Sequence, residues 1–190
     1  MKTLFFTRKG DNGESVISHK KFKKSDVFFN AIGSLDELNS FLGVIRAETF
    51  KKDILLGKDK FSQIIFNLQE KIFKVQAEIA SFYFSPRRKS KFVDAKDIEW
   101  MEEIIKKIDL TLPPLKNFVI PGDSLISAYL DLGRAISRRA EREIVLLFSK
   151  EGLKNKNILS FVNRISSLLF ALARYANFKK KIKEAKPSYR

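Results

Sequence analysis

The chain has 190 residues, with 37 Lys and Arg against 22 Asp and Glu and a net charge of +15. At 44% hydrophobic and 31% charged residues it is too apolar for a disordered chain, and its length suits one domain spanning residues 1–190. With no Cys and a single His, His19, a disulfide scaffold, a thiol nucleophile, a Cys-held zinc or iron–sulfur site and a two-His di-iron site within one chain are all excluded. No apolar run approaches the ~18 residues of a membrane span. The first ten residues read as neither a signal nor a transit peptide, so a cytoplasmic protein without membrane contact is expected. Eighteen of the residues are Phe, which predicts a core filled with aromatic bulk that carries no polar atoms.

From the N-terminus, Thr7-Arg8-Lys9-Gly10-Asp11-Asn12-Gly13-Glu14-Ser15 is polar and glycine-bearing, and residues 1–24 are expected to be irregular. Apolar residues then recur at steps of three and four. Phe28, Ile32, Leu35, Leu38, Leu42 and Ile45 predict a first helix from about Asp26 to Lys51. Phe61, Ile65, Leu68, Ile72, Val75, Ile79 and Phe82 predict a second, ending before Ser85-Pro86 because proline disfavours helix in the residue ahead of it. Arg87–Lys91 reads as an exposed loop. Ile98, Met101, Ile105 and Ile108 mark a third helix, and Pro113-Pro114 closes that region.

A fourth helix is predicted after Pro121-Gly122, with Asp123 or Ser124 as N-cap. Its main apolar stripe reads Leu125, Tyr129, Leu132, Ile136, Ala140 and Leu147, with Arg134, Arg138 and Glu141 opposite. Ile126, Leu130, Ile144 and Phe148 form a second stripe. A helix apolar on two sides is central in its bundle or part of a subunit interface. Ile158, Phe161, Ile165, Leu168, Leu172 and Tyr175 mark a fifth helix, fading into the basic tail 179–190. The expected fold is an all-α five-helix bundle, with no βαβ alternation to suggest a Rossmann domain.

Three segments carry chemistry. In Thr7–Ser15, two glycines three apart can expose successive backbone N–H groups beside Thr7, Arg8 and Lys9, which suits a polyphosphate, although a polar hairpin turn has the same composition. It is not a Walker A loop, since the chain lacks G-x-x-x-x-G-K-[ST]. In Gly33-Ser34-Leu35-Asp36-Glu37-Leu38-Asn39-Ser40, a glycine inside a helix costs ~1 kcal/mol against Ala. Gly33 and Gly43 therefore suggest close approach of another backbone or a ligand, while Asp36 and Asn39 lie off the apolar stripe, as residues of a solvated face do. Arg134, Arg138 and Arg142 descend one side at i, i+4 and i+8, so their forks can hold phosphate oxygens together or decorate a surface with ion pairs. The basic runs His19–Lys24 and Lys179–Arg190 are equally compatible with solvated lysines and with non-specific nucleic-acid binding.

Two further blocks join these: Leu112-Pro113-Pro114-Leu115-Lys116-Asn117-Phe118-Val119-Ile120-Pro121-Gly122, and Asn163-Arg164-Ile165-Ser166 with Leu172-Ala173-Arg174-Tyr175-Ala176-Asn177. In order and spacing, from residue 3 to about 177, the five blocks resemble the propanediol-utilisation-type ATP:cob(I)alamin adenosyltransferases, trimeric corrinoid adenosyltransferases with a ferritin-like five-helix bundle. The resemblance implies transfer of the 5′-deoxyadenosyl group of ATP to cob(I)alamin with release of triphosphate. It puts Thr7, Arg8, Gly10, Asp11 and Gly13 near the triphosphate and Lys24 at an ATP-binding lysine. Arg138, Glu141 and Asn163 match nucleotide-site residues, Asp36 and Arg134 match a pair bridging neighbouring subunits, and Phe118 matches the aromatic under the corrin ring. On this resemblance Phe118 and Arg138 are the catalytic positions, the substrates are ATP with Mg²⁺ and cobalamin, and the protein itself ligates no metal. A homotrimer is implied, with a cobalt reductase and an adenosylcobalamin-dependent acceptor enzyme as possible partners and no specific nucleic acid.

The chain departs from the family pattern at Asp123, where a second Gly is usual, at Asp131 for a common His, at Ser137 for a small Cys, and at Ser167 for an Asp. Two alternatives stay open on sequence grounds. Net charge alone supports a basic helical nucleic-acid-binding protein, and the missing carboxylate at Ser167 leaves room for a cobalamin-binding relative with reduced turnover.

Overall fold

The computed structural model describes residues 5–17, 20–51, 53–84 and 92–189. His19, the loop expected at Arg87–Lys91 and Arg190 lie outside the described residues. The five predicted helices are all present: α1 (Val27–Lys51), α2 (Phe61–Phe84), α3 (Ala95–Asp109), α4 (Leu125–Glu151) and α5 (Asn157–Lys179). Helix α4 lies between α1 and α5, α2 packs on the far side of α1, and α3 packs on α5.

The N-terminal segment is less irregular than expected. Glu14–Ile17 (β1) and Lys20–Lys23 (β2) form an antiparallel pair in the register Glu14↔Lys23 to Ile17↔Lys20. A second short pair, Leu55–Leu56 (β3) with Asp59–Lys60 (β4), turns the chain between α1 and α2. Helical periodicity could not show these strands, because they are too short to display an alternation.

Helix ends follow local chemistry. Of the two N-cap candidates for α4 the structure uses Ser124, whose hydroxyl accepts from the Ser127 N–H while Ser127 reaches back to the Ser124 backbone. The same reciprocal box closes α3 between Asp94 and Asp97. Asp97 is tied to α2 as well, accepting from Lys71 Nζ at 2.7 Å and from Lys74 Nζ. Gly152 ends α4 in the left-handed region at φ 67°, where a side chain would be strained.

The buried face of α4 draws on both stripes. Ile136, Ala140 and Leu147 of the expected main stripe are buried with Ile126, Leu130 and Ile144 of the second and with Gly133 and Ser137, whereas Leu125 and Leu132 are exposed and Tyr129 and Phe148 half-buried. The heptad 126-130-133-137-140-144-147 wins because its small residues let three helices meet. A Cβ on Gly133 would stand 3.3 Å from Ile45 Cδ1 of α1 and 3.5 Å from Leu169 Cδ1 of α5. Gly133 is therefore the close-approach glycine. Gly33 and Gly43, expected in that role, meet nothing tighter than 3.7 Å within the chain. Phe82 also departs from expectation, lying exposed at the end of α2.

Candidate functional site

The first group of site residues is assembled by the β1–β2 pair. Pairing Glu14 with Lys23 returns the chain to the glycine loop, so that the Lys24 N–H donates to the Gly13 carbonyl at 2.9 Å. The Lys24 ammonium then crosses the loop and donates to the Gly10 carbonyl at 2.7 Å. Gly10 leaves room for that crossing: a Cβ there would lie 2.9 Å from Lys24 Nζ, and the ammonium would have to shift. The loop itself is tight: the Gly13 N–H donates to Gly10 O at 3.3 Å, the Asp11 N–H to Arg8 O at 3.4 Å, and both Arg8 and Gly13 have positive φ (59° and 75°). The Arg8 guanidinium lies over the Phe6 ring at 5.6 Å, and Thr7, Arg8, Asp11 and Gly13 are exposed. An ammonium with one of its three N–H groups on a carbonyl keeps two donors. The Lys24 ammonium and the exposed Arg8 guanidinium thus give the loop a cationic character suited to phosphate oxygens.

The second group lies on α4 and α5. Glu141 accepts from Asn163 Nδ2 at 2.7 Å, joining the two helices. The Arg138 side chain is exposed and makes no hydrogen bond or ion pair with any described residue. Its neighbour Arg139 is engaged, pairing with Glu37 of α1. Arg134 pairs within its own helix, Nε to Asp131 Oδ1 at 3.2 Å, and not with Asp36. Asp36 is exposed on α1 and has no ion-pair partner among the described residues. Burial pushes the Asp131 carboxyl up; the Arg134 hydrogen bond and charge oppose this, and Glu184 and Asp123 add to it.

The third element is the segment between α3 and α4. Phe118 is 76% exposed there, so it does not serve as a core anchor within the chain. A groove of about 470 Å³ runs along it, lined by Leu115, Lys116, Asn117, Phe118, Pro187 and Tyr189. The structure therefore brings Gly10, Gly13 and Lys24 together, and Glu141 with Asn163, but no hydrogen bond or ion pair among the described residues joins the loop group to the α4–α5 group.

Sequence reasoning missed the Glu37–Arg139 pair and the course of the basic tail. The tail folds back on this segment: the Ile120 N–H donates to Ala185 O at 2.9 Å and the Ala185 N–H to Asp123 Oδ2 at 3.1 Å. Arg174 Nε donates to Glu184 at 3.2 Å, with both side chains largely buried. The one available signal was Glu184, an acid isolated in a basic run.

Comparison with known proteins gives this arrangement its class. The fold matches a solved Lactobacillus reuteri structure, a phenylalanine-substituted variant of a PduO-type ATP:corrinoid adenosyltransferase complexed with cobalamin and ATP, with a TM-score of 0.85, 30% identity and coverage of 97% of this chain and 96% of that one. An arginine-to-lysine variant from the same organism, complexed with ATP, matches with a TM-score of 0.81 and 30% identity over 96% of this chain and 99% of that one. A corrinoid adenosyltransferase of Citrobacter freundii is 33% identical over 170 residues, 89% of this chain and 92% of the relative. The human corrinoid adenosyltransferase MMAB is 34% identical over 179 residues, 92% and 69% of the two chains. Residues 5–176 match the cobalamin adenosyltransferase family model, and the chain belongs to that family.

Proposed function

We propose that the protein transfers the 5′-deoxyadenosyl group of ATP to the cobalt of cob(I)alamin, giving adenosylcobalamin and triphosphate. The observation that carries this reading is the loop on which Lys24 closes over the Gly10 carbonyl, in a chain whose residues 5–176 match the cobalamin adenosyltransferase model. The Lactobacillus reuteri neighbour complexed with cobalamin and ATP supports the same pair of substrates.

Cob(I)alamin is itself the nucleophile. A Co–C5′ bond forms as the C5′–O bond to the triphosphate breaks, so no Ser, Cys or His is needed. The protein orients the two reactants and stabilises charge on the leaving triphosphate. Thr7, Arg8, Gly10, Asp11, Gly13 and Lys24 take the triphosphate. Arg138, whose guanidinium has no other partner among the described residues, clamps phosphate oxygens, and Glu141 with Asn163 holds the nucleotide. Phe118 lies under the corrin and keeps the lower axial ligand off cobalt. Mg²⁺ carried on the nucleotide would neutralise charge on the triphosphate while Thr7, Arg8 and Lys24 hold its oxygens.

The working form is a homotrimer in the cytoplasm with ATP sites between subunits. Two observations support it: the exposed apolar Leu125 and Leu132 on α4, and an Asp36 without an ion-pair partner among the described residues. On this reading Asp36 meets Arg134 of a neighbouring subunit, and the loop of one subunit faces the α4–α5 residues of another. A cobalt reductase and an adenosylcobalamin-dependent enzyme bracket the reaction. The test is ATP-dependent loss of the cob(I)alamin absorption with stoichiometric adenosylcobalamin and triphosphate. Cobalamin binding without turnover overturns the reading, and light scattering that finds the active protein monomeric overturns the trimer.

A further inference from the structure

The tail after α5 is built into the fold, and it carries charge to a particular place. The Ile182 N–H donates to Asn177 O at 3.0 Å, Ala185 is bonded through its carbonyl to Ile120 and through its N–H to Asp123, and Glu184 is committed to Arg174. These contacts fix the backbone on both sides of Lys183 and hold Lys186 beside it. With the segment before α4 they enclose a second groove of about 460 Å³, whose walls include Lys116, Val119, Arg174, Lys183 and Lys186. Among the described residues that line it the one carboxylate, Glu184, is paired with Arg174. Lys116, Lys183 and Lys186 make no ion pair with any described residue. Three uncompensated ammonium groups around one groove repel each other, and the fold holds two of them there through the hydrogen-bonded tail. That arrangement suits a phosphate-type anion, for which lysine is a point-charge ligand.

None of Thr7, Arg8, Gly10, Asp11, Gly13 and Lys24 of the same chain lines this groove, and ATP affinity of the variant below tests the triphosphate as the rival occupant. What the groove does share is the wall Leu115, Lys116 and Asn117, which it has in common with the groove along Phe118. If Phe118 occupies the lower face of the corrin, the lower base of a complete corrinoid is displaced. That base is tethered to the ring edge through a phosphodiester, so the whole tail must lie beside Phe118. We propose that Lys116, Lys183 and Lys186 receive this phosphodiester, making the protein selective for corrinoids that carry a nucleotide tail. The inference rests on the placement of Phe118 in the proposed function.

The experiment titrates the full-length protein, with ATP present, with cob(II)alamin and with cob(II)inamide, which has the same ring but no nucleotide tail. Absorbance gives each Kd for wild type and for the Lys183→Gln/Lys186→Gln double variant, and a thermal melt confirms that the variant is folded. The expected result is a loss of about tenfold in cobalamin affinity, in line with a charge-assisted contact. Cob(II)inamide affinity stays at the wild-type value, and the wild-type preference for cobalamin shrinks as salt rises. Equal losses for both corrinoids, no loss for cobalamin, or a weakened ATP affinity in its place overturns the inference while leaving the functional reading intact. Failure of wild type to bind either corrinoid overturns the functional reading, and the inference with it.

Discussion

Replacing Phe118 with Ala separates a ligand-facing ring from a core ring, because the two make opposite demands on stability. A buried Phe contributes about 150–250 Å² of burial and costs about 3–5 kcal/mol when truncated. Phe118 is 76% exposed, so about a quarter of that area is out of water. At about 25 cal/mol per Å² the loss is about 1–1.5 kcal/mol. Chemistry should suffer far more. Without a ring beneath the corrin an axial ligand returns to cobalt, donates into the orbital that must accept the electron, and makes Co(II) harder to reduce. A fall of about 100-fold in adenosylation starting from cob(II)alamin, equivalent to about 2.7 kcal/mol, is the expected scale. ATP affinity should hold. Electron paramagnetic resonance of cob(II)alamin with ATP reads the ligand state directly, and urea unfolding reads stability. A four-coordinate signal in Phe118→Ala as strong as in wild type, or a stability loss of the size of a buried Phe, would refute the assignment.

Arg138→Lys keeps the charge but loses the planar fork, and turnover should fall by about 2 kcal/mol in transition-state stabilisation or more; a wild-type rate would remove Arg138 from the phosphate clamp. Asp97→Asn tests the α2–α3 tie. Burial pushes the Asp97 carboxyl up, but hydrogen bonds from Lys71, Lys74 and the Asp94 backbone and the Lys71 charge outweigh it and hold the group below the usual carboxylate range. Its stabilisation is present above the unfolded carboxylate pKa and lost as pH falls through the folded one. The variant should therefore cost about 2–4 kcal/mol at pH 7 and little in strong acid, measured by urea midpoints; a pH-independent cost would contradict the ion-pair account. Asp131 has the opposite sign. Its carboxyl is raised, so its stabilisation is present below the unfolded pKa and is lost as pH rises through the folded one. Asp131→Asn should then be better tolerated at pH 7 than at pH 4 relative to wild type, and a larger loss at pH 7 would show that the Arg134 pair dominates.

The sequence by itself determined the helices, because each of the five repeats apolar residues at three and four, and most have a proline, a glycine or a capping side chain at one end. Periodicity and caps are local, so Val27–Lys51 falls within a residue of its expected bounds and Leu125 follows one of the two expected N-caps. It also marked Thr7–Ser15 as a polar, glycine-bearing segment, while composition alone left a polyphosphate loop and a plain turn both open. Tertiary structure alone decided how those features are used. Which face of α4 is buried depends on Gly133 facing Ile45 and Leu169, contacts that join residues far apart in the chain. Lys24 became part of the loop only through the β1–β2 register, in strands too short to announce themselves. Arg138 has no side-chain partner among the described residues while Arg139 and Arg134 are engaged, because Glu37 and Asp131 stand where the packing of α1 on α4 and the turn of α4 put them. The tail shows the same division. Its lysines were visible as charge, but their place beside Phe118 follows from Ile120, Asp123 and Arg174, whose partners no spacing rule could name.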